Sequence, residues 1–297
     1  MIGRRAAVWC AVAAALAVGG TACSSSGTAG TTSPAMSGAT GSTASGKTVT
    51  CHYTDEASGF ESIPSTVPAS VPAGQRDAFK HYLDQVRAGA AKQRDTPKPD
   101  ATQPDSGTAT VTLHTNRGEI VIDVDRAQAP CNAAAVLSAA QQGYYDNTAC
   151  HRLAQSIELR ILQCGDPTGT GIGQPRWASP DELPKGLKPA SGADATPGFN
   201  TAQVIYPRGT VAVANRWTPN RTGAQATNSG GAAQFFIVTA DTALAPRFAV
   251  IGRVDDAGMR VVDTVVAGGI TPTGPAMAPE DGAPRMALTI SSARVSG

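Results

Sequence analysis

Residues 150–173 read CHRLAQSIELRILQCGDPTGTGIG, and this stretch decides the fold. Arg152 directly follows His151, Gln163 comes a short hairpin later, and a Gly-Asp-Pro-Thr-Gly-Thr-Gly turn runs from Gly165 to Gly171. Farther along stand Val213-Ala214-Asn215 and Gln234-Phe235-Phe236-Ile237. In that order Arg152, Gln163, Asn215 and Phe236 supply one charged donor, two amides and an apolar wall. Such a set suits holding a polypeptide and stabilising a twisted amide. It does not suit a hydrolase, because no Ser or Cys nucleophile has an obvious base partner nearby. Gly169, Gly171 and Gly173 follow Asp-Pro and precede no Lys-Ser/Thr pair, so they read as a sharp turn rather than a phosphate cradle.

Around this stretch the chain reads as many short strands with two helices. Thr110–His114 and Ile120–Val124 are β-rich runs separated by a Thr-Asn-Arg-Gly turn, which predicts a hairpin. Pro130 opens a helix that runs to Gln142, with Gly143 in the stop position. Strand and hairpin return over Tyr144–Leu162, and short strands are expected at Gly209–Ala214, Gln234–Val238, Phe248–Val254 and Met286–Val295, with a second helix over Asp256–Val266. This pattern is mainly β and suits a closed barrel.

The same motifs resemble those of the cyclophilins, a family of peptidyl-prolyl cis/trans isomerases. The family pattern reads Phe-His-Arg, Phe-Met-x-Gln-Gly-Gly-Asp, Gly-Thr-Gly-x-Gly, Met-Ala-Asn-Ala and Ser-Gln-Phe-Phe. Here it becomes Cys150-His151-Arg152, Arg160-Ile161-Leu162-Gln163-Cys164-Gly165-Asp166, Gly169-Thr170-Gly171-Ile172-Gly173, Val213-Ala214-Asn215-Arg216 and Ala233-Gln234-Phe235-Phe236. The resemblance spans residues 108–297 and implies a closed eight-stranded antiparallel barrel capped by two helices. It also implies isomerisation of X-Pro bonds in proline-containing unfolded or extended polypeptides. That rotation faces a barrier near ~20 kcal/mol, because the nitrogen lone pair is shared with the carbonyl. A rigid, permanently charged guanidinium aimed at the nitrogen localises the lone pair and favours the twisted state.

By resemblance, Arg152 is that donor, and Gln163 orients it and holds a substrate carbonyl. Ala214, Asn215 and Gln234 bind the extended peptide, and Ile161, Phe236 and Leu244 form the proline socket. No proton moves and no covalent bond forms, so neither cofactor nor metal is expected. The chain departs from the pattern within the socket. The family's socket Phe aligns with Arg160, after an apparent short insertion, and its Trp and His are replaced by Ala243 and Phe248. Phe248 or Trp217 is expected to refill the space. A catalytically weakened peptide-binding or chaperone scaffold is the alternative that these changes favour.

The front of the chain carries export signals. Arg4 and Arg5 precede an apolar run from Ala6 to Val18, and Thr21-Ala22-Cys23 closes it. The run is shorter than the ~20 residues that span a bilayer. Small residues leading into Cys23 resemble a bacterial lipoprotein box, with Gly20 where that box usually has Leu. Residues 1–22 are therefore expected to be a lipoprotein-type signal and Cys23 the lipidation site, anchoring an exported protein to the outer face of the cytoplasmic membrane. A secreted soluble protein is the alternative. Residues 23–47 are nearly all Ser, Gly, Thr and Ala and read as a flexible tether. Residues 48–107 form an appendage with one helix over 75–93, where Phe79, Tyr82, Leu83 and Val86 share a face.

With 24 Lys+Arg against 23 Asp+Glu, the chain has no electrostatic footprint for nucleic acid. Aromatic residues make up 5% of it, so Val, Ile, Leu and Ala must build the core. A monomer is expected, touching the membrane only through its lipid. Cys51, Cys131, Cys150 and Cys164 remain for two disulfides in an oxidising compartment, with three connectivities open. A Cys/His metal site lacks any CxxC spacing to support it.

Overall fold

The computed structural model describes residues 46–191, 202–216, 231–273 and 278–297. The expected signal, Cys23, nearly all of the tether and Trp217 lie outside these residues. In chain order the first elements are β1 (Thr48–Thr50), β2 (Thr54–Asp55), α1 (Arg76–Ala90), β3 (Thr102–Pro104), β4 (Thr108–Thr115), β5 (Gly118–Asp125) and α2 (Pro130–Gln141). There follow β6 (Thr148–Ala149), β7 (Arg152–Gln155), β8 (Arg160–Cys164), β9 (Trp177–Ala178), β10 (Val204–Tyr206), β11 (Thr210–Val213) and β12 (Phe235–Val238). The last are β13 (Thr242–Leu244), β14 (Val250–Val254), α3 (Asp256–Ala267), β15 (Ile270–Pro272), β16 (Asp281–Pro284) and β17 (Thr289–Ser296).

Local chemistry sets the element boundaries. β4 and β5 form the expected hairpin, closing at Thr115 opposite Gly118. Pro130 opens α2, and Gly143 ends it in the left-handed region at φ +67°. There Tyr144 N–H reaches Ala139 O at 2.9 Å and Gly143 N–H reaches Ala140 O at 3.1 Å, the paired bonds of a Schellman stop. The start of α2 is satisfied from a distance: the Glu182 carboxylate accepts from Cys131 N–H at 3.1 Å and Asn132 N–H at 2.8 Å. Asp255 caps α3 by accepting from Gly258 N–H at 2.7 Å.

The main sheet is antiparallel, in the order β15-β16-β7-β8-β12-β11-β14-β5-β4-β17-β6. The fold is mainly β with few helices, but among the described residues the pairing is an open order of eleven strands and not the expected closed eight-stranded barrel. Two features explain the difference. The edge of β7 away from β8 is taken by β16, with Asp281 opposite Ala154 and Gly282 opposite Leu153. Between β6 and β7 the chain also changes partners: Cys150 N–H donates to Leu288 O at 2.9 Å, and His151 N–H donates to Gln163 O at 3.1 Å.

Side-chain alternation along the strands separates two apolar clusters. Leu153, Leu162, Val211, Val213, Phe235 and Ile237 join residues of α2 and α3 in the main core. Ala154, Ile161, Ala212, Phe236, Val238 and Val250 point to the other face, where Tyr206 joins them. Phe235 through Val238 are all buried because β12 is covered on both sides. The segment before β4 packs onto the same compact unit, Gly46–Gly297. A disulfide links Cys51 to Cys131, Tyr53 OH donates to Cys131 O at 3.0 Å, and Trp177 Nε1 donates to Thr96 O at 2.9 Å.

Candidate active site

The second face of the sheet gathers the residues that the sequence singles out. Arg152 starts β7 and lies opposite Gln163 on β8, and Gln163 lies opposite Phe236 on β12. Three adjacent strands thus present a cation, an amide and an aromatic ring in one row, on the face that also carries Ile161. Leu244, Ala214 and Phe248 pack against the same cluster from its edge. Ala214 N–H donates to Gln234 O at 2.9 Å, which joins the peptide-binding candidates to the end of β12. Asn215 follows, and its side-chain amide donates to Arg247 O at 2.9 Å.

Phe248 packs against the Phe236 cluster. Its ring meets Phe236 edge-to-face, 5.3 Å between centroids and 89° between planes. Sequence reasoning missed the residue that holds it there. The Tyr206 hydroxyl donates to Phe248 O and accepts from Phe248 N–H, both at 3.2 Å. Burial pushes the Tyr206 phenol up to about 12, so it remains a neutral donor. Ala243 is on β13 opposite Ile205. The register at Arg160 is also clarified. Leu159 and Ile161, not Arg160, contribute to the apolar cluster, as two-residue alternation requires.

The polar groups divide the work differently from the sequence-based expectation. Among the described residues no hydrogen bond joins Gln163 to Arg152. Gln163 Nε2 donates to Gln234 Oε1 at 2.9 Å, and Gln234 Nε2 donates in turn to Gly173 O at 2.8 Å and Gly171 O at 3.1 Å. The Arg152 guanidinium is instead gripped by Asp281: Nε donates to Oδ1 at 2.8 Å and Nη2 to Oδ2 at 2.6 Å. Asp281 lies far off in sequence within a Pro- and Gly-rich run, and no pattern in that run points to it.

The glycine loop is a turn wrapped around one carboxylate. Fully buried Asp166 accepts from Thr168 N–H at 2.8 Å and Thr168 Oγ1 at 2.7 Å through Oδ1. Its Oδ2 accepts from Gly171 N–H at 2.6 Å, Thr170 N–H at 3.1 Å and Gly173 N–H at 3.3 Å. Gly169 and Gly171 hold positive φ of +69° and +80°, which other residues adopt only with strain. His151 packs beside this loop with both ring nitrogens buried and without a hydrogen-bond partner among the described residues. Burial pulls its imidazole down to about 4, against the opposing pull of Asp166 and with help from the Arg152 charge. The second disulfide, Cys150–Cys164, ties the chain just before Arg152 to the end of β8.

Residues 110–295, more than half of the chain, match the family described as cyclophilin type peptidyl-prolyl cis-trans isomerase/CLD. The chain belongs to the cyclophilin-type peptidyl-prolyl isomerase family. A "Probable peptidyl-prolyl cis-trans isomerase B" of Mycobacterium leprae is 34% identical over 206 residues, covering 69% of this chain and 63% of its own length. The protein of the same name from Mycobacterium tuberculosis is 36% identical over 203 residues, covering 68% of this chain and 59% of its own. This cyclophilin therefore spans less than two thirds of the length of those relatives. A cyclophilin-type isomerase structure from Cryptosporidium parvum shares 22% identity at a TM-score of 0.46, covering 64% of this chain and 99% of that one.

Proposed function

We propose that this cyclophilin catalyses cis/trans isomerisation of X-Pro bonds in extended segments of exported proteins. The observation that carries the reading is the row of Arg152, Gln163 and Phe236 on one face of three paired strands. The proline ring enters the socket of Ile161, Phe236, Leu244 and Phe248, which fixes the ring while the rest of the peptide turns. A guanidinium has five N–H donors, and Asp281 takes two of them. Three remain for the substrate, enough to reach the amide nitrogen as its lone pair localises. Gln163 lies opposite Arg152 on the neighbouring strand, and residues 214–215 are the proposed binding segment for the extended peptide. Catalysis of this kind is electrostatic and positional, and it transfers no proton.

The two disulfides support a setting outside the reducing cytosol, and Cys23 is proposed as the lipid anchor that keeps the protein at the outer face of the cytoplasmic membrane. The protein acts as a monomer in this reading. One specific observation favours the scaffold alternative: an Ala stands at residue 243, where the family socket carries its Trp, so peptide is held by less aromatic surface. The deciding experiment follows a short Xaa-Pro peptide with the purified chain and measures cis-to-trans conversion and binding together. Acceleration at substoichiometric protein supports the isomerase. Binding that leaves the conversion rate at its uncatalysed value supports the scaffold.

A further inference from the structure

We infer that Asp281 is the positioning residue for Arg152, and that the hairpin β15–β16 exists at this edge to hold it there. The inference rests on the reading of Arg152 as the electrostatic donor and deepens it. A guanidinium on a long, flexible stem makes a poor fixed donor unless something selects one rotamer. Paired planar contacts do this best, because two parallel N–H···O bonds set both distance and plane. Arg152 makes that contact once, through Nε and Nη2 to the two oxygens of Asp281, at 2.8 Å and 2.6 Å. The Gln163 amide is committed elsewhere, to Gln234.

Asp281 is itself rigidly placed. It pairs with Ala154 and the next residue, Gly282, pairs with Leu153, while Gln155 N–H donates to Glu280 O at 2.9 Å. On the other side Gly282 faces Pro272 of β15. A Cβ at residue 282 would fall 2.2 Å from Thr271 O, so the two strands close to this distance only with glycine. The carboxylate is thus carried on a strand paired on one side with β15 and on the other with the strand that starts with Arg152. Side-chain exposures of 39% and 38% leave the pair open to substrate, so the ion pair itself adds little stability. What it fixes is direction: Nε and one Nη2 proton face the carboxylate, and both Nη1 protons and the other Nη2 proton are left for the substrate.

The test compares wild type, Asp281→Asn, Asp281→Glu, Arg152→Ala and the Arg152→Ala/Asp281→Asn double variant. Asn matches the shape of Asp but sets an amide against the guanidinium fork. The expected result is a fall in kcat of ~10- to ~100-fold for Asp281→Asn with KM nearly unchanged. Asp281→Glu recovers part of the loss, and Asp281→Asn costs nothing further once Arg152 is Ala. A second readout needs no turnover. The Arg152 Nε–H is protected from solvent exchange by NMR in wild type and exchanges freely in Asp281→Asn. Unchanged kcat in Asp281→Asn, a loss that persists in the Arg152→Ala background, or equal Nε–H exchange in both proteins would overturn the inference. If wild type shows no turnover but Asp281 protects the Nε–H, the isomerase reading fails and the positioning role stands.

Discussion

Two charged groups flank the Cys150–Cys164 disulfide and do opposite things. Asp166 is fully buried and accepts five hydrogen bonds from its own loop. Arg152 and Asp281 form a two-bond fork that is more than a third exposed. Taking a carboxylate out of water is repaid only when its lone pairs are filled, so Asp166 is built into the fold and faces no substrate. An ion pair so exposed contributes little net stability, and on the proposed reading the fork serves through what its remaining donors reach. On the proposed reading of Arg152, the difference teaches that burial separates a structural charge from a working one within the stretch from Arg152 to Asp166.

The strongest challenge to that contrast is Asp166→Ala. Removing the acceptor strands several buried N–H groups, and a loss of at least about 3 kcal/mol is expected in urea unfolding. A loss below about 1 kcal/mol would mean that the loop repairs itself and that the contrast is wrong.

His151 sharpens the comparison through pH. Its imidazole titrates at 6.5 when unfolded and about 4 when folded, because burial disfavours the charged ring. Between those values the unfolded chain binds more protons, so stability falls as pH drops through that window and is complete above it. His151→Leu should flatten the decline, as followed by thermal melts across that range. A decline that persists unchanged in the variant would assign it to other groups.

The smallest effect is expected at Arg208–Asp263, an ion pair at 2.6 Å with side chains 43% and 52% exposed. Asp263→Asn should change stability by less than about 1 kcal/mol and leave isomerisation at the wild-type rate. A kinetic effect there as large as that of Asp281→Asn would remove the special standing of the Arg152 fork.

Much of this was legible because it is carried by short-range chemistry. The hairpin of β4 and β5 and the Pro130 start and Gly143 stop of α2 follow from local patterns, while Arg152, Gln163 and Phe236 were singled out by the order of their motifs. What was hidden depends on pairs distant in sequence. Nothing near Asp281 announces Arg152, since β15 and β16 are short strands in a Pro- and Gly-rich run. Tyr206 could not be tied to Phe248, because only the fold brings its hydroxyl to that backbone. The cysteine pairing was open until the fold brought Cys51 beside α2 and Cys150 beside β8. Barrel closure was expected from strand count, yet strand count does not show which neighbour takes an edge, and β16 takes that of β7.

The central claim is that the Arg152 guanidinium, and not the apolar socket alone, accelerates rotation about the X-Pro bond. NMR exchange spectroscopy on one Xaa-Pro peptide, with wild type and Arg152→Ala side by side, tests it most directly. The account predicts that the variant still binds the peptide and still folds, while the enhanced cis/trans exchange falls by ~100-fold or more. Exchange enhancement that survives in Arg152→Ala would contradict it and leave the socket as the whole of the machinery.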